Sequence, residues 1–139
     1  MGTDIQEVID AFLIKLPETV DFTGKESKIY QYFKASLSKC YKTTYENLDY
    51  TYDTETYEGT FNNKIRQDTI ELIAIGMVKE YYYGVYSYYV AKKQYLGTKD
   101  FNKLPDNSKS LSDAKANVDF WSDEFYRFRQ EFYKYSEDE

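Results

Sequence analysis

Histidine is absent from this 139-residue chain, and cysteine occurs once and proline twice. Without histidine there can be no Ser-His-Asp triad, no Cys-His dyad and no imidazole metal ligand. Enzymes can work with carboxylates alone, so the absence lowers the prospect of catalysis without abolishing it. The lone Cys40 cannot close an internal disulfide, which fits a reducing compartment or a particle assembled in cytosol. No stretch approaches the roughly 18 apolar residues of a membrane span, and the N-terminus carries no signal-peptide pattern. Gly59 and Gly97 stand alone, so no phosphate-cradling loop is present. Basic residues are outnumbered, 18 against 24 acidic, for a formal net charge of −6. That balance argues against a nucleic-acid binder, whose phosphate contacts need a basic face.

Tyrosine is what the chain has in abundance: 17 tyrosines and an aromatic fraction of 19%. Leu and Ala are scarce while Lys, Asn and Tyr are common, a trace of an AT-rich coding bias and not of a function. The length fits one domain, residues 1–139, with a real core.

Four helices are predicted, arranged like a bundle. "TDIQEVIDAFLIKLP" reads as the first, capped by Thr3 and stopped by Pro17, with Ile5, Val8, Ile9, Phe12 and Leu16 on one stripe. The second covers Ser27–Tyr41 with Ile29, Tyr30, Phe33, Leu37, Cys40 and Tyr41 inward; Cys40 on that stripe is a small buried hydrophobe. The helical period breaks over an insertion spanning about 42–66. Within it Leu48, Tyr50 and Tyr52 alternate with polar residues and "TYEGTF" returns, which predicts an extended arm or small hairpin. A long third helix starts near Gln67–Asp68 and reaches Leu96, where Gly97 ends it. Its stripe is Ile70, Ile73, Ala74, Met77, Val78, Tyr81, Val85, Tyr88 and Tyr89. "GTKDFNKLPDNSKS" reads as a polar loop. A long C-terminal helix follows, with Leu111, Ala114, Val118, Trp121, Phe125, Phe128, Phe132 and Tyr135 at alternating three-and-four spacing and an acidic, frayed tail at 136–139. The expected fold is therefore mainly α. Ile73, Met77, Tyr81, Trp121, Phe125 and Phe128 are its core anchors.

The stretch "KEYYYGVYSYYVAKKQYLG" holds seven tyrosines, too many for one inward face. Tyr82, Tyr83 and Tyr86 fall to the flank or far side, together with Leu72 and Ile75. An aromatic surplus of this kind marks a protein interface, where the ring packs and the hydroxyl stays hydrogen-bonded. Tyr50 and Tyr52 on the arm and Arg127 on the last helix join the candidate interface set, Arg127 as a partner for an acid on a neighbouring subunit. A tyrosine acts as acid or base when a nearby cation lowers its pKa, and no spacing singles one out. Asp49, Asp53, Glu55 and Glu58 crowd the insertion, but the order of a calcium-binding loop is missing, so a solvated charge run is the expectation. No catalytic residue, no metal and no cofactor is assigned.

The order "IDAFLIKLPETVDF", "IYQYFKASLSKCY", "YEGTFNNKIRQDTIELIAIGMVKEYYYG" and a long last helix resembles the small helical neck proteins of tailed bacteriophages, the head-tail connector or adaptor class. The likeness is a pattern of helices and apolar anchors spanning most of the chain. It centres on Phe61–Gly84, where Tyr81 or Tyr82 stands in place of the tryptophan expected in such sequences. It implies a non-enzymatic virion component of the neck, made in the host cytoplasm and forming a homo-oligomeric ring, commonly a dodecamer. Such a ring binds the portal protein on one side and a stopper or tail-completion protein on the other. DNA passes through its channel without sequence-specific binding, and no membrane is involved. Two other readings stand beside it: a cytosolic helical protein-binding module using the Tyr-rich helix face, and a carboxylate-dependent hydrolase using the Asp49–Glu58 acids.

Overall fold

The computed structural model describes the backbone of residues 2–41, 43–104 and 106–137, and side chains as far as Phe132. Its first helix, α1 (Ile5–Leu13), opens on Asp4, whose carboxylate accepts the Gln6 amide at 2.9 Å. Thr3, the expected cap, is instead buried, and its hydroxyl accepts the Ile65 amide at 2.8 Å. Asp4 is better placed because an extended residue must precede the first turn, and Thr3 is held by backbone bonds to Phe61 and Asn63. α1 ends before Pro17, in two tight turns where Lys15 and Leu16 bond back three residues.

Helix α2 (Glu26–Cys40) buries Ile29, Phe33, Ser36, Leu37 and Cys40. Tyr41, expected inward, lies just past the helix end and is exposed, its hydroxyl donating to Asp49. The insertion is a two-stranded antiparallel hairpin, β1 (Tyr50–Asp53) and β2 (Glu58–Phe61), in register from Tyr50 opposite Phe61 to Asp53 opposite Glu58. An isolated bridge from Asp4 to Thr60 ties it to the start of α1.

Helix α3 (Gln67–Leu96) runs 30 residues, about 45 Å, between the boundaries that the sequence predicts. Gly97 stops it with φ +82°, a conformation glycine adopts without strain. Its N-terminus has no cap of its own. The Glu46 carboxylate supplies one from the preceding loop, accepting the Arg66 amide at 3.1 Å and the Thr69 hydroxyl. Over Thr69–Val78 every residue but Glu71 is buried, because α1, α2 and α5 surround the helix there. Leu72 and Ile75, expected on the flank, are core residues for that reason.

The predicted polar loop contains a fifth helix, α4 (Thr98–Lys103). One fully buried ring, Phe101, anchors it between α3 and α5. The Asn107 side chain holds that junction, donating to the Phe101 carbonyl at 2.9 Å and accepting from Lys92 Nζ at 3.2 Å. Pro105 lies outside the described residues. α5 (Asn107–Glu137) then packs along α3. Ser136 and Glu137, in the tail expected to fray, are helical, and residues 138–139 lie outside the described residues.

The fold is mainly α, with a long third helix, a long last helix and a small hairpin, as the sequence predicts. It has two regions. A head gathers α1, α2, the hairpin, the first half of α3 and the second half of α5. Beyond it the second half of α3 pairs with α4 and the first half of α5, forming an arm. Of the core anchors, Ile73, Met77 and Phe125 are buried, while Tyr81, Trp121 and Phe128 are half-buried against the core.

Candidate functional site

The change of surroundings at the middle of α3 decides what its tyrosines face. Tyr81 and Tyr82 still belong to the head: Tyr81 meets Phe22 edge-on at 5.6 Å and Tyr82 at 5.0 Å, and both pack against the core. From residue 83 onward only one side of α3 is covered. Val85, Tyr86, Tyr89, Val90, Lys92, Lys93 and Leu96 are half-buried there. The seven exposed positions from 83 to 96 are Tyr83, Gly84, Ser87, Tyr88, Ala91, Gln94 and Tyr95.

None of those seven carries a charge, in a chain of which 30% of residues do. Tyr83, Tyr88 and Tyr95 are 58%, 60% and 89% exposed. Small residues between them (Gly84, Ser87, Ala91) leave the rings standing proud of the helix. The structure thus shifts the open aromatic face. Tyr83 remains on it. Tyr82 and Tyr86 are half-buried within the chain, and Tyr88, predicted inward, is open because α3 has lost α1 and α2 as neighbours by that point.

The other predicted interface residues are engaged locally. Tyr52 stacks on Tyr30 with ring centroids 3.9 Å apart and planes within 6°, and the Tyr50 and Tyr30 hydroxyls lie 3.1 Å apart. These contacts fasten the hairpin to α2. Arg127 is exposed and pairs with Glu124 one turn back on α5.

Little in the electrostatics favours acid-base chemistry. Tyr32, Tyr50, Tyr52, Tyr81 and Tyr82 are all displaced upward, first of all by burial, and Tyr41 upward by its hydrogen bond to Asp49. A phenol held neutral in this way is a poor base near neutrality. Burial likewise pushes the Cys40 thiol up to about 11, well away from a reactive thiolate. Lys79 moves the other way, down to about 8, through burial and the neighbouring Lys39 ammonium. It sits over the Phe125 ring, 4.7 Å from its centroid.

Two of the four acids of the insertion have structural partners. Asp53 accepts the Glu55 amide at 2.8 Å inside the hairpin turn, and Asp49 accepts the Tyr41 hydroxyl. Among the described residues no group of three or more acids or cysteines is placed to hold a metal ion. Among the same residues no helix is long and apolar enough to cross a membrane.

A feature that sequence reasoning missed is a groove of about 820 Å³ between α1, the 14–25 loop, the start of α2 and the hairpin turn. It joins residues 6–29 to the hairpin at 52–58, which lie far apart in sequence, so no local pattern announces it. The uncharged run on α3 did leave a signal: neutral residues at every outward position from 83 to 96 of a helix in a highly charged chain.

Comparison with protein-family models, with curated proteins and with solved structures gives no match for this chain.

Proposed function

We propose that this chain is a non-enzymatic structural subunit that assembles through the outer half of α3 into a homo-oligomeric ring, acting as a head-tail connector in the neck of a tailed phage virion. The single observation that carries the reading is the uncharged face of Tyr83, Tyr88 and Tyr95 with small residues between. Large neutral aromatic side chains are enriched at the centres of protein interfaces and charged ones depleted. With each tyrosine side chain able to bury about 200 Å², the open fraction of these three comes to about 400 Å². That is about half of the roughly 800 Å² per partner in a stable interface.

In this role the ring joins the portal protein to a stopper or tail-completion protein and leaves a channel for DNA. The formal charge of −6 suits a wall along which a duplex passes without being held. The resemblance of Phe61–Gly84 to phage neck sequences supports the same reading.

A second reading uses the same face differently. Tyrosine, serine and glycine together adapt to foreign surfaces, which favours a helical module that binds one other protein. Negative-stain microscopy of the pure protein at rising concentration separates the two. Closed rings of one diameter, lost on Tyr83→Ser/Tyr88→Ser/Tyr95→Ser with helicity unchanged, carry the ring reading. A protein that stays monomeric, alone and with a portal, removes it and leaves the binding module.

A further inference from the structure

We infer that the arm tip of one copy docks in the groove of a second copy, a lysine-flanked leucine entering an apolar trough rimmed by carboxylates. This rests on the self-assembling reading above and adds to the tyrosine face a second contact between copies, made by two further surfaces. The floor of the groove is apolar, with Ile9, Leu16, Phe22 and Ile29, and Ile14 stands 83% exposed at its edge. Glu18, Asp21, Glu26 and Glu58 rim it, and among the described residues no lysine or arginine lines it. The Thr23 hydroxyl and amide both donate to Asp21 and hold its carboxyl below the usual range, with a smaller contribution from the Lys25 charge. An apolar trough with this rim selects an apolar side chain flanked by cations.

The chain itself carries such a segment. Residues 92–115 hold six lysines against three aspartates, an excess of three positive charges in a chain of net −6. They form the arm tip, where Lys99, Lys103 and Lys109 are exposed and Leu104 is 48% exposed beside them. The tip packs on α3 and α5, about 20 Å of helix beyond Tyr82, whereas the groove is built from α1, α2 and the hairpin. The meeting is therefore between copies. Two different patches, one basic and one acidic, give a head-to-tail contact, which closes a ring or extends a filament according to its angle.

Charge reversal and cross-linking test this. In sedimentation at low salt, Glu18→Lys/Asp21→Lys and Lys99→Glu/Lys109→Glu should each weaken association about tenfold or more, and the two sets combined in one chain should restore it. A photo-cross-linking residue in place of Leu104, in a mixture with a 15N-labelled copy, should join to the partner's groove near Val20 and Tyr57. Circular dichroism confirms that each variant is folded. Association that survives both reversals, with cross-links landing outside the groove, overturns this inference and leaves self-assembly standing. A wild type that stays monomeric and gives no cross-link between copies overturns both. A cross-linker in place of Ile14 that captures another protein from cell extract in preference to the labelled copy overturns the choice of occupant.

Discussion

The Ser36 hydroxyl donates to the Ile73 carbonyl at 2.7 Å, a side-chain bond that presses α2 against α3 just where Gly76 removes the obstacle. A β-carbon on Gly76 would lie 2.1 Å from Ser36 Oγ and 2.9 Å from the Phe125 ring. Two helices thus close on α3 at one residue without a side chain. Gly76→Ala gains about 1 kcal/mol of helix propensity but forces a tightly packed junction apart at a cost of about 2–3 kcal/mol. The net expectation is a loss of about 1–2 kcal/mol in urea unfolding at unchanged m-value. Because the nearest obstacle is the hydroxyl, Ser36→Ala/Gly76→Ala should lose less than the sum of the single variants.

Glu46 reaches α3 from outside the helix, and removing it leaves the Arg66 amide and the Thr69 hydroxyl without their acceptor, with Asp68 the remaining acid of the first turn. Glu46→Ala should cost about 1–2 kcal/mol, read as a fall in Tm of about 5 °C. Glu46→Gln keeps an acceptor without the charge and should fall between the two. An equal loss in both variants would mean that the charge at the helix end, and not the hydrogen bond to Thr69, supplies the stability.

Glu46 also illustrates what the sequence could and could not disclose. The ends of α3 were legible because Gly97 is a local stop and Ile70 to Val78 keep a helical period. The cap was not, since it arrives from twenty residues upstream of Arg66. α4 escaped detection because one ring, Phe101, makes it, and a single apolar residue among polar ones has no period. Tyr88 and Leu72 were misplaced for a common reason. Periodicity fixes the angle of a side chain around a helix but not what stands opposite, and the neighbours of α3 change halfway along it. The aromatic surplus was readable as a surplus; its open portion, Tyr83, Tyr88 and Tyr95, needed the packing.

Cys40 should leave a signature in alkaline solution. Its thiol ionises near 9.0 when the chain is unfolded and near 11 in the fold. Between those values the folded protein retains a proton that the unfolded chain has released, so stability falls as pH rises from 9 to 11. The size is on the order of 2 kcal/mol. Lys79 has the opposite sign: with its folded value near 8 against 10.5, the unfolded chain binds the extra proton and stability rises over that window. Urea titrations of wild type and Cys40→Ala at each pH isolate the first effect, since the gap between them should shrink steadily above pH 9. A constant gap would mean that the thiol is hydrated in the fold. Thiol-reactive dye should label Cys40 at neutral pH only as fast as the head opens.

Phe101 tests whether the arm is a unit apart from the head. It is fully buried at the tip, roofed by Lys93 at 5.9 Å and locked by the Asn107 amide. Truncating a buried phenylalanine to alanine costs about 3–5 kcal/mol where the surroundings cannot collapse. Among the described residues α4 packs chiefly on α3 and α5, so the loss should be local. Hydrogen exchange of Phe101→Ala should therefore accelerate at amides 88–96 and 108–116, by about tenfold or more, while Val8–Phe12 in α1 stay protected. If the head amides accelerate equally, arm and head unfold together and the arm is held by the whole core. Local opening would instead mean that the tip surfaces, Leu104 and its lysines, are presented by the least stable part of the molecule, and that docking of the tip would itself raise protection along the arm.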